Sequence, residues 1–315
     1  GIDELIVGAE KTNNNKGAVY VFYAADLVSN ALSEQDATLV INPSAMMGSA
    51  MLGSSLSSGD YDGDGFIDLA MGGHKSNEQQ ANSGAVYIWS GAHNLWSGSQ
   101  GAEDAHVIYQ ASAYQDWAGY ALSSGDLNGD GSDELAIGAP LVDSIASNGG
   151  SVYILEGGQR TGSYDLESEA LVELSGSFSD SKAGYALSLG DWNNDGAGDL
   201  AVGAPFVTGG YSQGGSAYIF WDIMSLSGLH EVTESDIEIE GVSSAAHLGE
   251  AFQSFDINGD GQEDLLISAP NANTQTAGGG SVGFFTDIDG GEISLLDADL
   301  LLYGSHSAGA LGAAM

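Results

Sequence analysis

Short apolar runs that alternate with polar residues recur along the whole chain, and they predict β-strands. Four of these runs carry an aromatic residue in the same phase, at residues 19–22, 86–89, 152–155 and 217–220. Alternation over a few residues between glycine-rich turns is typical of half-buried strands, whereas a helix shows a 3.6-residue period over a longer stretch. No such long stretch is present. The pattern therefore predicts an all-β fold.

The strands group into four-stranded repeats of about 65 residues. In each repeat, strand A carries a Leu-Gly or Ala-Gly segment and leads into an acidic loop, strand B follows that loop, and strand C is the aromatic run. Strand D is the fourth, at residues 37–41, 107–109, 171–174, 237–239 and 300–303. One four-stranded unit cannot bury both of its faces, so repeated units stack as the blades of a propeller. We predict a single domain over residues 1–315, a five-bladed β-propeller of four-stranded antiparallel blades.

One of the five repeats is divided between the two ends of the sequence. Residues 1–5 align with residues 131–135, and residues 311–315 align with residues 52–56. The C-terminal strand A is therefore predicted to complete the first blade and to protect its edge. The alternative is that the chain is an excerpt from a longer array, and the sequence leaves both open.

An acidic loop of nine residues recurs in one phase at residues 60–68, 126–134, 191–199 and 256–264. Positions 1, 3, 5 and 9 carry side-chain oxygens, position 6 is glycine, and position 7 offers its backbone carbonyl. Calcium takes six to eight oxygen ligands in flexible geometry, whereas magnesium prefers an octahedron that retains waters. We predict four complete Ca²⁺ sites and a fifth that is split between the chain ends. The predicted side-chain ligands are Asp60, Asp62, Asp64 and Asp68; Asp126, Asn128, Asp130 and Glu134; Asp191, Asn193, Asp195 and Asp199; Asp256, Asn258, Asp260 and Asp264; and Glu4 of the split site. The predicted carbonyl ligands are those of Phe66, Ser132, Ala197 and Gln262.

The residues of these loops allow two other interpretations. An EF-hand or dockerin loop needs an acidic residue at position 12, but that position holds Met71, Ile137, Val202 and Ile267, which belong to predicted strands. Asp-Asn-Gly runs are also common in ordinary surface turns. Four copies in one phase favour the metal site over a surface turn.

The repeats resemble the FG-GAP repeat family, known from the propeller of integrin α subunits. The resemblance rests on the Leu-Gly or Ala-Gly of strand A, the Asp-x-Asn/Asp-x-Asp-Gly loop, and Gly-Ala-Pro at residues 138–140 and 203–205. There are departures: the usual aromatic before the glycine of strand A is replaced by Leu52, Ala118, Ala183 and Leu248. Only five repeats are found where integrin propellers have seven, and no inserted adhesion domain fits in the loops. Integrin-like ligand recognition is therefore not carried over.

The resemblance implies that the calcium loops share one face and that the B–C and D–A loops form the opposite face, where ligands bind. In that arrangement most of the few cationic residues, together with several aromatic rings, fall in the B–C and D–A loops. The predicted ligand-binding residues are Lys11, Lys16, His74, Lys75, Tyr114, Trp117, Lys182 and Tyr211. Rings and cations together could bind a glycan or an acidic peptide. The competing interpretation is that long polar loops commonly carry lysines without a function.

Charge and composition exclude several classes of partner. The chain has 44 acidic and five basic residues, a formal net charge of −39, and no cysteine. Such a charge opposes binding to nucleic acid and to anionic membranes. The absence of cysteine excludes disulfides and thiolate zinc sites, and no apolar run is long enough for membrane insertion. The hydrophobic fraction of 43% is nevertheless sufficient for a folded core.

No catalytic motif stands out. The six histidines form no His-x-x-x-His pair, and neither a Gly-x-Ser-x-Gly elbow nor a phosphate-binding loop is present. We therefore predict a non-enzymatic, calcium-binding adhesion module for a glycan or protein ligand, monomeric within a larger protein. We expect it to be extracellular or on a cell surface, secreted by a bacterium. The alternatives are a calcium-stiffened spacer of a large surface protein and a non-catalytic or catalytic part of a polysaccharide-acting enzyme.

Overall fold

β-Strands dominate the computed structural model, which describes residues 4–23, 31–43, 47–91, 97–286, 288 and 291–313. The prediction of an all-β fold is confirmed. The first strands are β1 (Leu5–Gly8), β2 (Val19–Phe22), β3 (Leu39–Asn42), β4 (Ser55–Gly59), β5 (Asp68–Gly73), β6 (Ala85–Trp89), β7 (Gly98–Gly101), β8 (Val107–Gln110), β9 (Ala121–Gly125), β10 (Glu134–Ala139) and β11 (Ser151–Leu155). They are followed by β12 (Gly162–Asp165), β13 (Val172–Ser175), β14 (Ala186–Gly190), β15 (Asp199–Ala204), β16 (Ser216–Phe220), β17 (Gly228–Glu231), β18 (Ile237–Glu240), β19 (Phe252–Phe255), β20 (Asp264–Ala269), β21 (Ser281–Phe285), β22 (Gly291–Ser294) and β23 (Leu300–Tyr303).

Helical segments are short and mostly precede strand D. Thr12–Asn15 is a turn with helical hydrogen bonding only, because Asn13 and Asn14 have φ values of 51° and 62°. The remaining segments are the four-residue helix Leu166–Glu169 and the 3₁₀ turns Glu34–Asp36, Ala102–Asp104, Ile223–Ser225, Val232–Glu234 and Leu295–Asp297. None of the helices among the described residues is long and apolar enough to cross a membrane.

The strands of the described residues form five sheets. Their strand orders are β1-β2-β3-β7, β4-β5-β6-β8-β12, β9-β10-β11-β13-β17, β14-β15-β16-β18-β22 and β19-β20-β21-β23. Strands A to D are antiparallel neighbours, as predicted. The outermost strands β7, β12, β17 and β22 were not predicted: each comes from the following repeat and runs parallel to strand D. These strands are short and polar, so the hydrophobic pattern gives no sign of them.

Two compact units divide the chain, one of residues 1–122 and 157–169 and the other of residues 123–156 and 170–315. Numbered in the order given above, sheets one and two belong to the first unit. We call the side of a sheet that carries Leu69 and Met71 in strand B its front face, and the opposite side its back face. In the first unit the back face of sheet one packs on the front face of sheet two. The buried residues of this interface are Val19, Val21, Leu39 and Ile41 on one side and Leu69, Met71, Tyr87, Trp89 and Ile108 on the other.

The second unit repeats the same packing twice. The back face of sheet three meets the front face of sheet four through Val152, Ile154, Val172 and Leu174 and, facing them, Leu200, Val202, Tyr218 and Phe220. The back face of sheet four meets the front face of sheet five through Ala217, Ile219, Ile237 and Ile239 and, facing them, Leu265, Ile267 and Phe285. Full burial of one such side chain stabilises the fold by about 1.5–3 kcal/mol. In sheet four, period-two alternation therefore serves two interfaces, one on each face.

Glycines near the end of strand B allow a close approach of two backbones. A Cβ on Gly203 would lie 2.1 Å from the carbonyl oxygen of Gly249, and one on Gly72 would lie equally close to that of Gly119. At these two positions only glycine therefore fits beside the turn that begins the next repeat.

Closure of the first blade concerns residues that lie outside the described part of the chain. Residues 1–3 and 314–315 of the split repeat are not described, and Leu311 forms a single bridge to Gly280. Within the described residues, sheet one has no strand A beside β1. The five-bladed ring with a C-terminal strand in its first blade therefore stays a prediction.

Candidate metal centres

The four acidic loops share one hydrogen-bonded conformation. In the first loop the carboxylate of Asp60, at position 1, accepts the backbone N–H groups of Asp64 at 3.0 Å and Gly65 at 2.8 Å. Asp64, at position 5, accepts the N–H of Phe66 at 2.9 Å. The same bonds recur in the other three loops. The backbone N–H groups thus turn the carboxylates of positions 1 and 5 toward the centre of each loop.

Position 9 anchors the loop to the core. Asp68 is 1% exposed and accepts the N–H of Tyr61 at 3.0 Å and that of Gly91 at 2.7 Å. Asp199 makes the corresponding bonds with Trp192 at 2.9 Å and Asp222 at 3.1 Å. The equivalent side chains of Glu134 and Asp264 are also fully buried. Strands β5, β10, β15 and β20 each begin at this residue, so the last acidic position of the loop and the strand boundary coincide.

The second loop uses a glutamate at position 9 where the others use aspartate. Glu134 accepts the N–H of Leu127 at 2.9 Å and the side-chain amide of Asn128 at 3.2 Å. The longer side chain keeps the same backbone partner, the residue at position 2, as Asp68 and Asp199 do. The substitution therefore preserves the loop.

Negative charge is concentrated in these loops. Oxygen atoms of Asp60, Asp62 and Asp68 lie within 4.8 Å of one another. Burial, opposed by backbone hydrogen bonds, raises the pKa of Asp68 to about 6 and that of Asp199 to about 6. The pKa of Asp62 is also raised, first by burial and then by the nearby charge of Asp64. A buried carboxylate beside like charges is costly unless it is paired or binds a metal. An all-oxygen donor set of this kind fits calcium.

Glu4 differs from the other four residues predicted at position 9. Its side chain is exposed, whereas Asp68, Glu134, Asp199 and Asp264 are buried. The residues that would precede it in the split loop include Gly1–Asp3, which lie outside the described residues. The fifth site therefore stays a prediction.

Three of the loops open onto one cavity within the second unit. This cavity has a volume of about 400 Å³ and is lined by Asp126, Asp191, Asn194 and Glu263 among others. Trp192 donates its indole N–H to the hydroxyl of Ser254 at 2.9 Å, and that hydroxyl donates to Glu263 at 2.9 Å. The acidic loops of these three repeats therefore lie at the same end of their sheets.

Three of the predicted ligand residues, all in the first unit, are in contact with one another. The ammonium of Lys75 lies 4.7 Å from the ring centroid of Trp117, and His74 lies against the same ring with centroids 5.4 Å apart. Trp117 in turn stacks on Tyr120 at 6.1 Å with an interplanar angle of 13°. His74 itself is buried and its Nδ1 lies 2.8 Å from the hydroxyl of Ser54. His74 was predicted to lie on the ligand-binding surface, but its side chain is buried and packs against the ring of Trp117. Lys75 and Trp117 are partly exposed.

A related cluster in the second unit was missed by the sequence analysis, apart from Lys182. The ammonium of Lys182 lies 4.2 Å from the ring centroid of Phe206, whose ring lies 4.7 Å from that of His247. Phe206 occupies the repeat position of Lys75, and His247 that of Trp117. The backbones of Trp117, Lys182 and His247 have φ values of 62°, 58° and 56°, in the left-handed region that residues other than glycine and asparagine rarely adopt. Comparison of equivalent repeat positions would have found this cluster.

The other predicted ligand residues are not part of these clusters. Lys11 is exposed and pairs with Glu10 at 3.4 Å, and Lys16 is half-buried. Tyr114 is 63% exposed and Tyr211 is 49% exposed. Among the ring and cation contacts of the described residues, none joins these four side chains to Lys75 or Trp117.

Comparisons with known proteins agree with the repeat structure. The model of the FG-GAP repeat matches residues 52–89, 118–155, 183–220 and 249–285. The chain is 32% identical over 217 residues to phosphatidylinositol-glycan-specific phospholipase D of Dictyostelium discoideum, over 63% of this chain and 23% of that protein. It is 31% identical over 229 residues to integrin alpha-PS2 of Drosophila melanogaster, over 69% of this chain and 15% of that protein. Among solved structures, rhamnogalacturonan lyase of Bacillus licheniformis aligns with a TM-score of 0.40 and 10% identity, over 73% of this chain and 46% of that one.

The matched regions are therefore a minor part of the two relatives, less than a quarter of each. What those proteins do as a whole is not carried to this chain by the similarity.

Proposed function

Because the chain belongs to the FG-GAP repeat family, we propose that it is an extracellular calcium-binding module that holds a glycan or protein ligand. Calcium would be held by the carboxylates and amides at positions 1, 3, 5 and 9 of the four loops, with the carbonyl at position 7. Bound calcium supplies positive charge to buried carboxylates, and the chain's own backbone N–H groups keep those carboxylates oriented. The observation that carries the proposal is the buried carboxylate at position 9, repeated in all four loops.

Calcium is proposed to link the loop to the core. Position 9 connects to the loop through the N–H of position 2 and, in Asp68 and Asp199, to the following hairpin through a second N–H. Charge compensation at this residue would therefore stabilise strand B and its neighbours as well as the loop. Extracellular modules bind calcium at about 10⁻⁴–10⁻³ M, which suits a location outside the cell.

Titration calorimetry of the chelator-treated chain with Ca²⁺ tests this step. We expect about four equivalents of Ca²⁺ to bind and the melting temperature to rise with Ca²⁺ concentration, since a ligand that binds only the folded state stabilises it. Magnesium at the same concentration is the control and should have a smaller effect. A melting temperature that is the same in Ca²⁺ and in chelator would refute the metal sites.

The ligand surface that we propose is centred on Lys75 and Trp117. Trp117 and Tyr120 offer flat rings with which a sugar can stack, and Lys75 offers a cation for an acidic group at the edge of the ring. The buried His74 fixes the position of Trp117, and the neutral form of its ring is favoured because burial lowers its pKa to about 4. An acidic glycan combines both features that the cluster can recognise.

A binding assay of Ca²⁺-loaded protein against acidic and neutral polysaccharides tests the ligand surface. We expect saturable binding to an acidic polysaccharide, reduced at least about tenfold by Trp117→Ala or Lys75→Met, which corresponds to about 1.4 kcal/mol. Lys11→Met is the matched control, because Lys11 is exposed and lies against Glu10. Equal binding by all three variants would place the ligand elsewhere.

We propose a non-catalytic role for this part of the protein. The name of the phosphatidylinositol-glycan-specific relative describes an enzyme, but the match covers 23% of it. Incubation of the same polysaccharides with Ca²⁺-loaded chain, followed by chromatography of the products, checks this point. Depolymerisation or turnover would refute the proposal, and binding without turnover supports it.

A further inference from the structure

The second compact unit holds a lysine that no carboxylate neutralises. The chain has 44 acidic residues, yet among the described residues none forms an ion pair with the ammonium of Lys182. The ammonium lies instead 4.2 Å from the ring centroid of Phe206. An aromatic ring attracts a cation without cancelling its charge. The charge of Lys182 is therefore available to an anionic group of a ligand.

An imidazole with one engaged nitrogen lies against the same ring. The centroid of the His247 ring is 4.7 Å from that of Phe206. Its Nδ1 lies 3.1 Å from the side-chain amide nitrogen of Asn271 and 3.4 Å from a carboxylate oxygen of Glu250. Among the hydrogen bonds of the described residues, none involves its Nε2. Whichever ring nitrogen carries the proton, Nε2 can form a hydrogen bond with a hydroxyl group, because a hydroxyl both donates and accepts.

Phe206 holds these two polar groups side by side. Their distances from its ring place the ammonium of Lys182 and the ring centroid of His247 at most about 9 Å apart. Tyr185 packs edge-on against Phe206, with ring centroids 5.8 Å apart. All four residues are partly exposed and all belong to the second unit. They therefore form one surface cluster that a ligand can reach.

The backbone does not explain why a lysine and a histidine stand at this place. Lys182 and His247 occupy the same position of successive repeats, just before the Ala-Gly or Leu-Gly segment of strand A. The residues at that position in the other repeats, Met51, Trp117 and Ala310, share their left-handed backbone, with φ values of 55°, 62° and 47°. The turn thus requires the conformation in every repeat, and glycine or asparagine would adopt it with less strain. The choice of a cation and an imidazole is not imposed by the fold.

We propose that Lys182, Phe206 and His247 form a subsite for a uronic acid residue of a glycan. The sugar carboxylate pairs with the ammonium of Lys182 in a charge-assisted hydrogen bond. A ring hydroxyl bonds Nε2 of His247, and the C–H groups of the sugar lie against the exposed parts of the Phe206 and Tyr185 rings. A neutral sugar has no group for Lys182, and an acidic peptide side chain has no hydroxyl for His247 while its carboxylate is held by Lys182. The combination of a carboxylate and neighbouring hydroxyls is what the cluster recognises.

This subsite is separate from the ligand surface proposed around Lys75 and Trp117. It rests on the proposed function only for the general class of ligand, a glycan. The two clusters share no residue and belong to different compact units. Binding at one therefore does not require binding at the other.

NMR of the histidine rings, with the whole Ca²⁺-loaded chain titrated with methyl β-glucuronide at constant pH and ionic strength, tests the subsite. The signal of His247 is identified by its loss in His247→Asn, because asparagine suits the left-handed backbone. We expect this signal to shift saturably. Methyl β-glucoside, which has a hydroxymethyl group in place of the carboxylate, should bind at least about tenfold more weakly, because the hydrogen bond between charged partners is lost. Lys182→Met should weaken glucuronide binding by a similar factor, whereas Lys182→Arg keeps a cation and should bind like the unsubstituted chain.

Two controls separate this subsite from the first ligand surface and from a general effect of added anion. In Trp117→Ala, which removes a ring of the first surface, the shift of the His247 signal should be unchanged, whether or not that surface binds a glycan. The signal of His230, which also belongs to the second unit but pairs with Glu234, should not move.

Several outcomes would overturn the proposal. These are a His247 signal that does not move, one that moves in parallel with that of His230, and one that no longer moves in Trp117→Ala. Equal affinities of Lys182→Met and the matched control Lys11→Met, or equal affinities for the two sugars, would also refute it. Melting temperatures within a few degrees of the unsubstituted chain show that the variants are folded. If Lys182→Met does not fold, the comparison of the two sugars on the unsubstituted chain decides.

Discussion

Replacing Asp199 with asparagine should change the free energy of unfolding in opposite directions with and without calcium. Asp199 is fully buried, and burial raises its pKa from about 3.8 to about 6. The raised pKa means that the folded chain disfavours the charged form, so that stability decreases as the pH rises from about 4 to about 6 and the full cost is present at neutral pH. About 2 pKa units at about 1.4 kcal/mol each amount to about 3 kcal/mol.

Asparagine removes that charge and retains only part of the hydrogen bonding. The two carboxylate oxygens of Asp199 accept separate N–H groups, from Trp192 and Asp222, and the single amide oxygen can replace one of them. A lost hydrogen bond costs about 1 kcal/mol. In chelator at pH 7.5 we therefore expect Asp199→Asn to stabilise the chain by about 2 kcal/mol.

With calcium the sign reverses. The substitution removes a ligand from the third site, and a site filled at a hundred times its dissociation constant stabilises the folded state by about 2.7 kcal/mol. Urea unfolding in chelator and in saturating Ca²⁺ measures both effects. Glu156→Gln is the control, since it removes one negative charge at an exposed residue outside the loops. Destabilisation by Asp199→Asn in chelator, or the same change in both conditions, would refute the assignment of Asp199 as a buried carboxylate that calcium compensates.

Three further predictions concern residues outside the predicted calcium ligands. Burial lowers the pKa of His74 to about 4, so stability should fall by about 3 kcal/mol as the pH drops from about 6.5 to about 4, and His74→Gln should remove that part of the pH dependence of urea unfolding. Gly203→Ala should destabilise the chain by about 3 kcal/mol or more, because the new Cβ would lie 2.1 Å from the carbonyl oxygen of Gly249. Gly125→Ala is the control and should have little effect, because its Cβ would meet no atom within 4 Å. Equal melting temperatures of the two variants in thermal unfolding would contradict the close approach. Trp192→Phe should cost about 1–3 kcal/mol in chemical unfolding because the hydroxyl of Ser254 loses its indole donor. Ser254→Ala should then cost less in the Trp192→Phe background than in the unsubstituted chain, since only its bond to Glu263 is left to lose, and equal costs in the two backgrounds would show that the two side chains act independently.

Local signals in the sequence were sufficient for strands A to D of the repeat and for the acidic loops. Alternation located strands B and C because their period-two apolar residues fill the interfaces between neighbouring sheets, as on both faces of sheet four. The spacing of the acidic residues in the loops was visible because each loop is closed by its own backbone, as between Asp60 and Gly65. The sequence analysis began strand B after position 9, whereas the strand begins at position 9 itself, because this residue belongs to both the loop and the strand.

Features that depend on contacts between two distant segments could not be predicted from local sequence patterns. The parallel strands β7, β12, β17 and β22 have polar sequences and are defined only by their pairing with the preceding repeat. Burial of His74, and its contact with Trp117, needs the turn of one repeat to lie against strand B of another, which no local pattern encodes.

The sequence by itself determined the repeat, its strands A to D and the acidic loops, because period-two burial and the spacing of residues within a loop are short-range properties. The tertiary structure decided which apolar residues are covered. Leu5 and Leu69 have the same local pattern and the same repeat position, yet one is 47% exposed and the other 1%. The difference arises because burial depends on whether a neighbouring sheet is present, and that neighbour is made of residues distant in the chain.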